Sequence, residues 1–389
     1  MIQKWLRKTP LAWKQLTRNK VRFAIALSGI AFADILMFIQ MGFEGALYTS
    51  AMKPYKDLIS ADLMIANPQF QTLFAVRSSP RERLYQALGY PGVQSVAPLY
   101  ISAGQWQNPD TRQSRTILVW GVDPGNPGLK MPEVQQNLDQ IKSLNQVLFD
   151  QAGRPEYGAI AEKLTQNNTV EAQLNGKVVQ VKGLFTIGSS FAADGNVLAS
   201  DSTFLRLFPD RRSDQIEAGL IYLKPGADVQ AVKAQLTAGL PDDVRVLTPA
   251  EWANVEKQYW ADGTGIGFIF GLGVIMGFVV GIVIVYQILY SDVSDHLPEY
   301  ATLKAMGYTD RYLLFVLMQE ALLLALLGFI PSFFLSLGLY QLTFAATALP
   351  IFMTIERAVN IFVLTVIMCG VSGAISIQKL RSADPADVF

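Results

Sequence analysis

One cysteine and one histidine are all that 389 residues hold of the two side chains most used for metal binding and nucleophilic catalysis. With Cys369 alone there is no disulfide framework and no thiol metal site, and one histidine, His296, with one cysteine excludes most metal clusters and makes a histidine-based triad nearly impossible. No G-x-x-x-x-G-K-[ST] loop occurs, since Gly176-Lys177 lacks both the earlier glycine and the following hydroxyl. The residues therefore predict no catalytic set, no metal site, no cofactor site and no ATPase site belonging to this chain. Gly370-Val371-Ser372-Gly373 matches the G-x-S-G of intramembrane serine proteases, but no base accompanies it at that depth, and small residues packing helices explain it.

Acidic residues are missing from the first 33 positions, where Lys4, Arg7, Lys8, Lys14, Arg18, Lys20 and Arg22 leave a basic head. Formal net charge is zero over the whole chain, so the asymmetry is local and nothing global suggests nucleic acid. Positive charge beside an apolar run is retained in the cytoplasm, which orients the N-terminus inward. The run that follows exceeds 20 residues, too long for a secretory signal, and reads as an uncleaved span.

What the chain does have is apolar sequence, 51% of residues, distributed in a lopsided way. The fold class expected is a membrane protein with four transmembrane α-helices and a large α+β extracytoplasmic domain between the first and second. The expected order is a basic cytoplasmic N-terminal helix at 1–22, span one at 23–48, the outer (periplasmic) domain at 49–262 and span two at 263–290. A cytoplasmic loop at 291–311, span three at 312–339, a short outer loop at 340–357, span four at 358–378 and a cytoplasmic tail at 379–389 complete it. Tyr312 to Ile355 carries only Glu320 as a charge and is about twice the length a bilayer needs, so one long helix kinked at Pro331 and two separate spans both remain open. Asp34 and Glu320 are intramembrane acids, and Glu320 is placed near enough to a helix end to reach polar headgroups.

Gly273, Gly277 and Gly281 repeat every four residues in span two and clear one helix face of side chains. Such a face serves either packing within the subunit or a dimer seam. In the loop 291–311, Pro298 suits a first helical position, Glu299 the positive end, Lys304 the negative end and Gly307 a left-handed stop. The nine-residue helix this predicts, 298–306, is too short to stand alone, and Leu303 and Met306 give it apolar surface with which to dock.

The outer domain reads as strands at 62–66, 115–122, 177–185 and 220–223 among Pro- and Gly-rich turns. Its last stretch has the order β–α–β, half of a ferredoxin-like unit. Thr248-Pro249-Ala250-Glu251 then fits a capping box opening a helix toward span two. That helix either runs on as a rod or breaks at a hinge among Gly263, Gly265 and Gly267.

Three local sequences resemble the permeases of MacB/FtsX-type ABC systems, the type VII exporters. They are Ala12-Trp13-Lys14-Gln15-Leu16 with Asn19-Lys20-Val21-Arg22, then Glu299-Tyr300-Ala301-Thr302-Leu303-Lys304-Ala305-Met306-Gly307, and Asp384-Pro385-Ala386-Asp387. Val93-Gln94-Ser95-Val96-Ala97-Pro98 and Leu184-Phe185-Thr186-Ile187-Gly188 are similar to the DevC-type subfamily of cyanobacterial glycolipid exporters. The resemblance implies that Pro298, Glu299, Leu303, Lys304, Met306 and Gly307 form a coupling helix seated on a separate ABC ATPase, which binds the ATP. It also implies a homodimer, a membrane fusion protein, a TolC-like outer-membrane channel, an inner-membrane location with both termini cytoplasmic, and a glycolipid or other lipid-like cargo moved by mechanotransmission. One departure is that the family's usual Arg-Glu-Ile helix start is Leu297-Pro298-Glu299 here. A non-transporting FtsX-like regulator of a periplasmic enzyme and a membrane-anchored sensor are the other readings of the same layout.

Overall fold

The computed structural model describes residues 13, 16, 18–73, 77–126, 128–167, 169–191 and 193–382. Lys4, Arg7, Lys8 and Lys14, most of the expected N-terminal helix and the Asp384-Pro385-Ala386-Asp387 motif lie outside them. The chain divides into a helical unit, Met1–Gly45 with Gly267–Leu342 and Ile351–Phe389, and an α/β unit, Ala46–Ile266 with Thr343–Pro350.

Helix α1 (Lys20–Lys53) is 34 residues of almost uniformly apolar sequence. A single wide turn, Pro54–Leu58, follows it and closes with the Ile59 amide donating to the Pro54 carbonyl at 3.1 Å. The strands of the α/β unit are β1 (Leu63–Ala66), β2 (Ser79–Pro80), β3 (Val93–Gln107), β4 (Ser114–Val122), β5 (Gln146–Asp150), β6 (Val170–Leu174), β7 (Lys177–Phe185), β8 (Asn196–Ser200), β9 (Gln215–Ile216), β10 (Ala218–Leu223) and β11 (Arg245–Leu247). Its helices are α2 (Arg81–Leu88), α3 (Pro132–Ile141), α4 (Ile160–Asn167), α5 (Asp201–Leu207), α6 (Val229–Gly239) and α7 (Pro249–Gln258).

One nine-stranded sheet runs in the order β11-β1-β10-β3-β4-β8-β5-β7-β6. Strand β6 also pairs back onto β3 through Trp106↔Leu174 and Gln107↔Gln173, so β3, β4, β8, β5, β7 and β6 close a ring. Closure removes the open edge that β6 would otherwise present. Asn175 and Gly176 both have positive φ (52° and 72°), which lets a two-residue turn join β6 to β7 with the twist the hairpin needs. The expected β–α–β is β10-α6-β11, but β1 lies between its two strands and pairs antiparallel with both, making a split unit.

The sheet separates two apolar cores. One gathers Tyr100, Trp106, Phe149, Tyr157 and Phe204, the other Tyr55, Phe70, Trp120, Phe185 and Trp252. Each buried indole finds an acceptor: Trp106 Nε1 donates to the Tyr157 carbonyl at 3.1 Å, Trp120 to Asn196 Oδ1 at 3.2 Å and Trp252 to the Met64 carbonyl at 3.2 Å. Large rings supply apolar area, and the satisfied N–H avoids the cost of an unpaired donor.

The helical unit continues with α8 (Gly265–Asp295), α9 (Leu297–Ala305), α10 (Asp310–Thr347) and α11 (Ile355–Ser382). Among the described residues four helices, α1, α8, α10 and α11, are long and apolar enough to cross a membrane. Each runs past the segment expected from hydropathy, because helical hydrogen bonding continues into polar flanks after the apolar run has ended. Helix α10 is unbroken across Pro331 over 38 residues. Ala348, at φ 55°, stops it, and no helix or strand follows through Thr354.

The junction before span two is a break. Thr248 and Glu251 form the full capping box of α7, with Pro249 at its first position. After Gln258 comes a wide turn, Tyr259–Gly263, and then Thr264 is extended at φ −117°, ψ 158° before α8 begins. A residue with β-region dihedrals cannot continue a helix, so the rod is interrupted there.

Candidate functional site

Helix α9 is the short element joining two apolar helices, and its nine residues have a distinct inner and outer face. Inward, Tyr300 and Ala301 are buried and Leu297 and Leu303 pack on a core that includes Leu289, Val293, Leu313 and Leu317. Outward, Pro298, Glu299, Thr302, Met306 and Gly307 are exposed, Met306 to 63%. Burial of one side explains how so short a helix persists, since its own hydrogen bonds do not suffice.

Both ends are built by local chemistry. At the start, His296 Nδ1–H donates to the Asp292 carbonyl at 3.0 Å, and Pro298 sits where a missing N–H costs nothing. At the end, Gly307 adopts φ +92°, its amide donating to the Lys304 carbonyl at 2.9 Å while the Tyr308 amide reaches Leu303 at 3.1 Å. This pair of bonds is the Schellman stop, and its left-handed residue is the one a side chain would strain.

Charge surrounds the helix. Arg18 Nη1 lies 3.1 Å from Glu299 Oε1, and Arg22 pairs with Asp295 at 2.5 Å. A cleft of about 650 Å³ lies between these residues, its basic wall formed by Arg18, Lys20 and Arg22 and its acidic wall by Asp292, Asp295 and Glu299. The Arg18 and Glu299 side chains are 72% and 51% exposed, so water screens the pair and it orients the surface more than it stabilises it.

Of the six residues expected on a coupling helix, Pro298, Glu299, Met306 and Gly307 share the outer surface. Lys304 is half-buried and Leu303 faces inward. Thr302 and Tyr308 join the outer surface and were not anticipated. Tyr308, 45% exposed with its ring tilted against Tyr312 at 4.8 Å, could have been read from two aromatics spaced i, i+4 just past the stop.

The three glycines of α8 face the same chain. A Cβ at Gly273 would meet Gln40, one at Gly277 would stand 3.0 Å from Met37 Cγ and 3.4 Å from the Ala33 carbonyl, and one at Gly281 would collide with Met368. The geometry is close approach of α1 and α11 to α8 within the subunit, one of the two uses the spacing allows. Ser372 likewise serves packing, its hydroxyl donating to the Met368 and Ile282 carbonyls at 2.8 and 2.9 Å.

The intramembrane acids are both fully buried. Asp34 accepts from Thr365 Oγ1 at 2.8 Å and Ser332 Oγ at 3.1 Å, which ties α1 to α10 and α11. Glu320 does not reach toward headgroups as expected: its α10 face turns into the bundle core, and neither carboxyl oxygen has a hydrogen-bond partner among the described residues. Among those residues no group of three metal-ligating side chains assembles.

Residues 266–385 match the model of the FtsX-like permease C-terminal family, a region that contains α8 to α11. No curated protein sequence matches the chain. Among solved structures, the periplasmic region of MacB from Actinobacillus actinomycetemcomitans is similar, at 14% identity over 54% of this chain and 96% of that one, with a TM-score of 0.35. The extracellular domain of the noncanonic ABC-type transporter YknZ from Gram-positive bacteria gives 13% identity, 48% and 99% coverage and a TM-score of 0.32. A permease-protein domain from Porphyromonas gingivalis gives 12%, 50% and 91%, and 0.32.

Proposed function

We propose that this chain is the permease subunit of an ABC-type exporter. It works in the inner membrane with both termini cytoplasmic and couples ATP hydrolysis by a separate ATPase to movement of the α/β unit. The observation that carries the reading is the FtsX-like permease match over 266–385, together with the docked helix α9 and its outward face of Pro298, Glu299, Thr302 and Met306. A helix held on its inner side and exposed on its outer side suits a groove on a partner, and the ATPase is that partner. Glu299 supplies a charge and Met306 an adaptable apolar contact.

In this reading α9 receives the stroke and the spans carry it as mechanotransmission, without a substrate passage among them. A membrane fusion protein and a TolC-like channel complete the route. The DevC-type resemblance supports a glycolipid or other lipid-like cargo. A homodimer is part of the proposal, but Gly277 and Gly281 are not assigned its seam because they are filled from within the subunit.

The test is purification of the chain with its partner ABC ATPase and measurement of hydrolysis in lipid nanodiscs. Glu299→Arg combined with Met306→Asp should abolish the stimulation that the parent chain gives, with the thermal midpoint unchanged. Equal stimulation by parent and variant would remove α9 from the ATPase contact. Leu303 is a poor probe, since its replacement would disturb packing as well as contact.

A further inference from the structure

Glu256 on α7 is buried, 1% exposed, and accepts four hydrogen bonds. Its Oε1 takes Thr72 Oγ1 at 2.6 Å and Trp260 Nε1 at 2.9 Å, and its Oε2 takes the Tyr55 hydroxyl at 2.9 Å and the Leu73 amide at 3.0 Å. Those donors come from three separate places. Tyr55 lies in the turn directly after α1, Trp260 in the turn directly before α8, and Thr72 and Leu73 in the loop after β1. These are the two points at which the chain leaves span one and returns toward span two, clasped by one carboxylate.

All four donors are uncharged, and the nearby cations are turned elsewhere: Lys257 stands over the Tyr48 ring at 5.6 Å and Lys53 donates to the Ile187 carbonyl. A carboxylate is the one side chain that offers four acceptor positions with no donor, so glutamine in its place would aim an NH₂ at two of the donors. Burial pushes the Glu256 carboxyl above its usual range while the hydrogen bonds pull it back down. With the folded value raised, this group's contribution to stability is fully present below the unfolded value and is lost as pH rises through the folded one.

We propose that Glu256 is a positioning residue that locks the exit of span one and the approach to span two into one joint, so that both move together as they load the α/β unit. The joint itself does not depend on the exporter reading; its use in transmission rests on it. The experiment separates the two with spin labels at positions 56 and 258, both exposed, in full-length Cys369→Ala chain in nanodiscs. The parent should give one narrow distance distribution at neutral pH. Glu256→Gln should be broad, with a lowered thermal midpoint but unfolding still cooperative. A narrow distribution in Glu256→Gln, or a broad one in the parent, would overturn the joint. With the ATPase bound, the parent distance should be the same without nucleotide and with ATP; a shift beyond the width of the parent distribution would overturn its role in transmission while leaving the ATPase partnership, read by hydrolysis, intact.

Discussion

The two units bury carboxylates on opposite terms. In the α/β unit Asp150 accepts from the Ala152, Ile187 and Gly188 amides and from Asn196 Nδ2, Glu217 accepts from Ser78, Arg211 and the Ile101 amide, and Glu256 accepts from four neutral donors. In the helical unit Asp34 has two hydroxyls and Glu320 has no partner among the described residues. Loops and turns have free amides to offer a carboxylate, whereas a helix spends its backbone donors on itself. An acid buried between helices can be satisfied only by side chains, and where none is supplied the unpaired polar group is left as a cost.

That contrast is open to direct attack, beginning where the effect is largest. Glu256→Leu should destabilise the protein by about 3–5 kcal/mol, since it strands several donors in the α/β core at once. Thermal or denaturant unfolding followed by tryptophan fluorescence reads it, and a loss under about 1 kcal/mol would mean that water reaches the donors. Glu320→Leu should move stability the other way, by about 1–3 kcal/mol of gain, because an apolar side chain of similar size replaces an unpaired polar group in an apolar core. Destabilisation by Glu320→Leu would reveal a partner supplied in the assembled complex and end the contrast.

Glycines sharpen the same comparison inside one helix. Gly281→Leu should cost about 1–3 kcal/mol through overpacking against Ala33 and Met368, while Gly271→Leu, whose Cβ would meet nothing within 4 Å, should stay within about 0.5 kcal/mol. Unfolding in detergent compares the pair. Should Gly271→Leu prove the more damaging, the open side of α8 is itself covered in the functional assembly.

How much of this was readable beforehand follows from periodicity and length. Apolar runs such as 266–290 locate a span because nothing else needs 25 uncharged residues, and Gly307 and Pro298 punctuate α9 because their backbone requirements are local. The sheet was largely hidden. Strand β3 is 15 residues long, interrupted by Pro98, buried in a pattern without clean alternation, and paired with both β10 and β4, so period-two reading catches only pieces of it. The Glu256 joint left no trace at all, since Tyr55, Thr72 and Trp260 come from distant parts of the chain and share no motif. Glu320 misled for a related reason: distance from a helix end is legible in sequence, but the direction a side chain faces is set by which helices pack around it.

The smallest effect concerns the surface of the helical unit, where charge is paired in water. Removing the Arg18–Glu299 pair by Arg18→Ala should cost about 0–1 kcal/mol, because both side chains are more than half exposed and salt screens them. The same substitution should nevertheless weaken ATPase stimulation in the co-purified complex, since it frees the Glu299 carboxylate from the orientation in which it would meet a partner. A double-mutant cycle with Glu299→Ala separates the two effects. A stability coupling under about 1 kcal/mol with a large coupling in stimulation assigns the pair to recognition. A cycle in which stimulation is simply additive would leave Arg18 as a bystander and return the outer face of α9 to Glu299, Thr302 and Met306 alone.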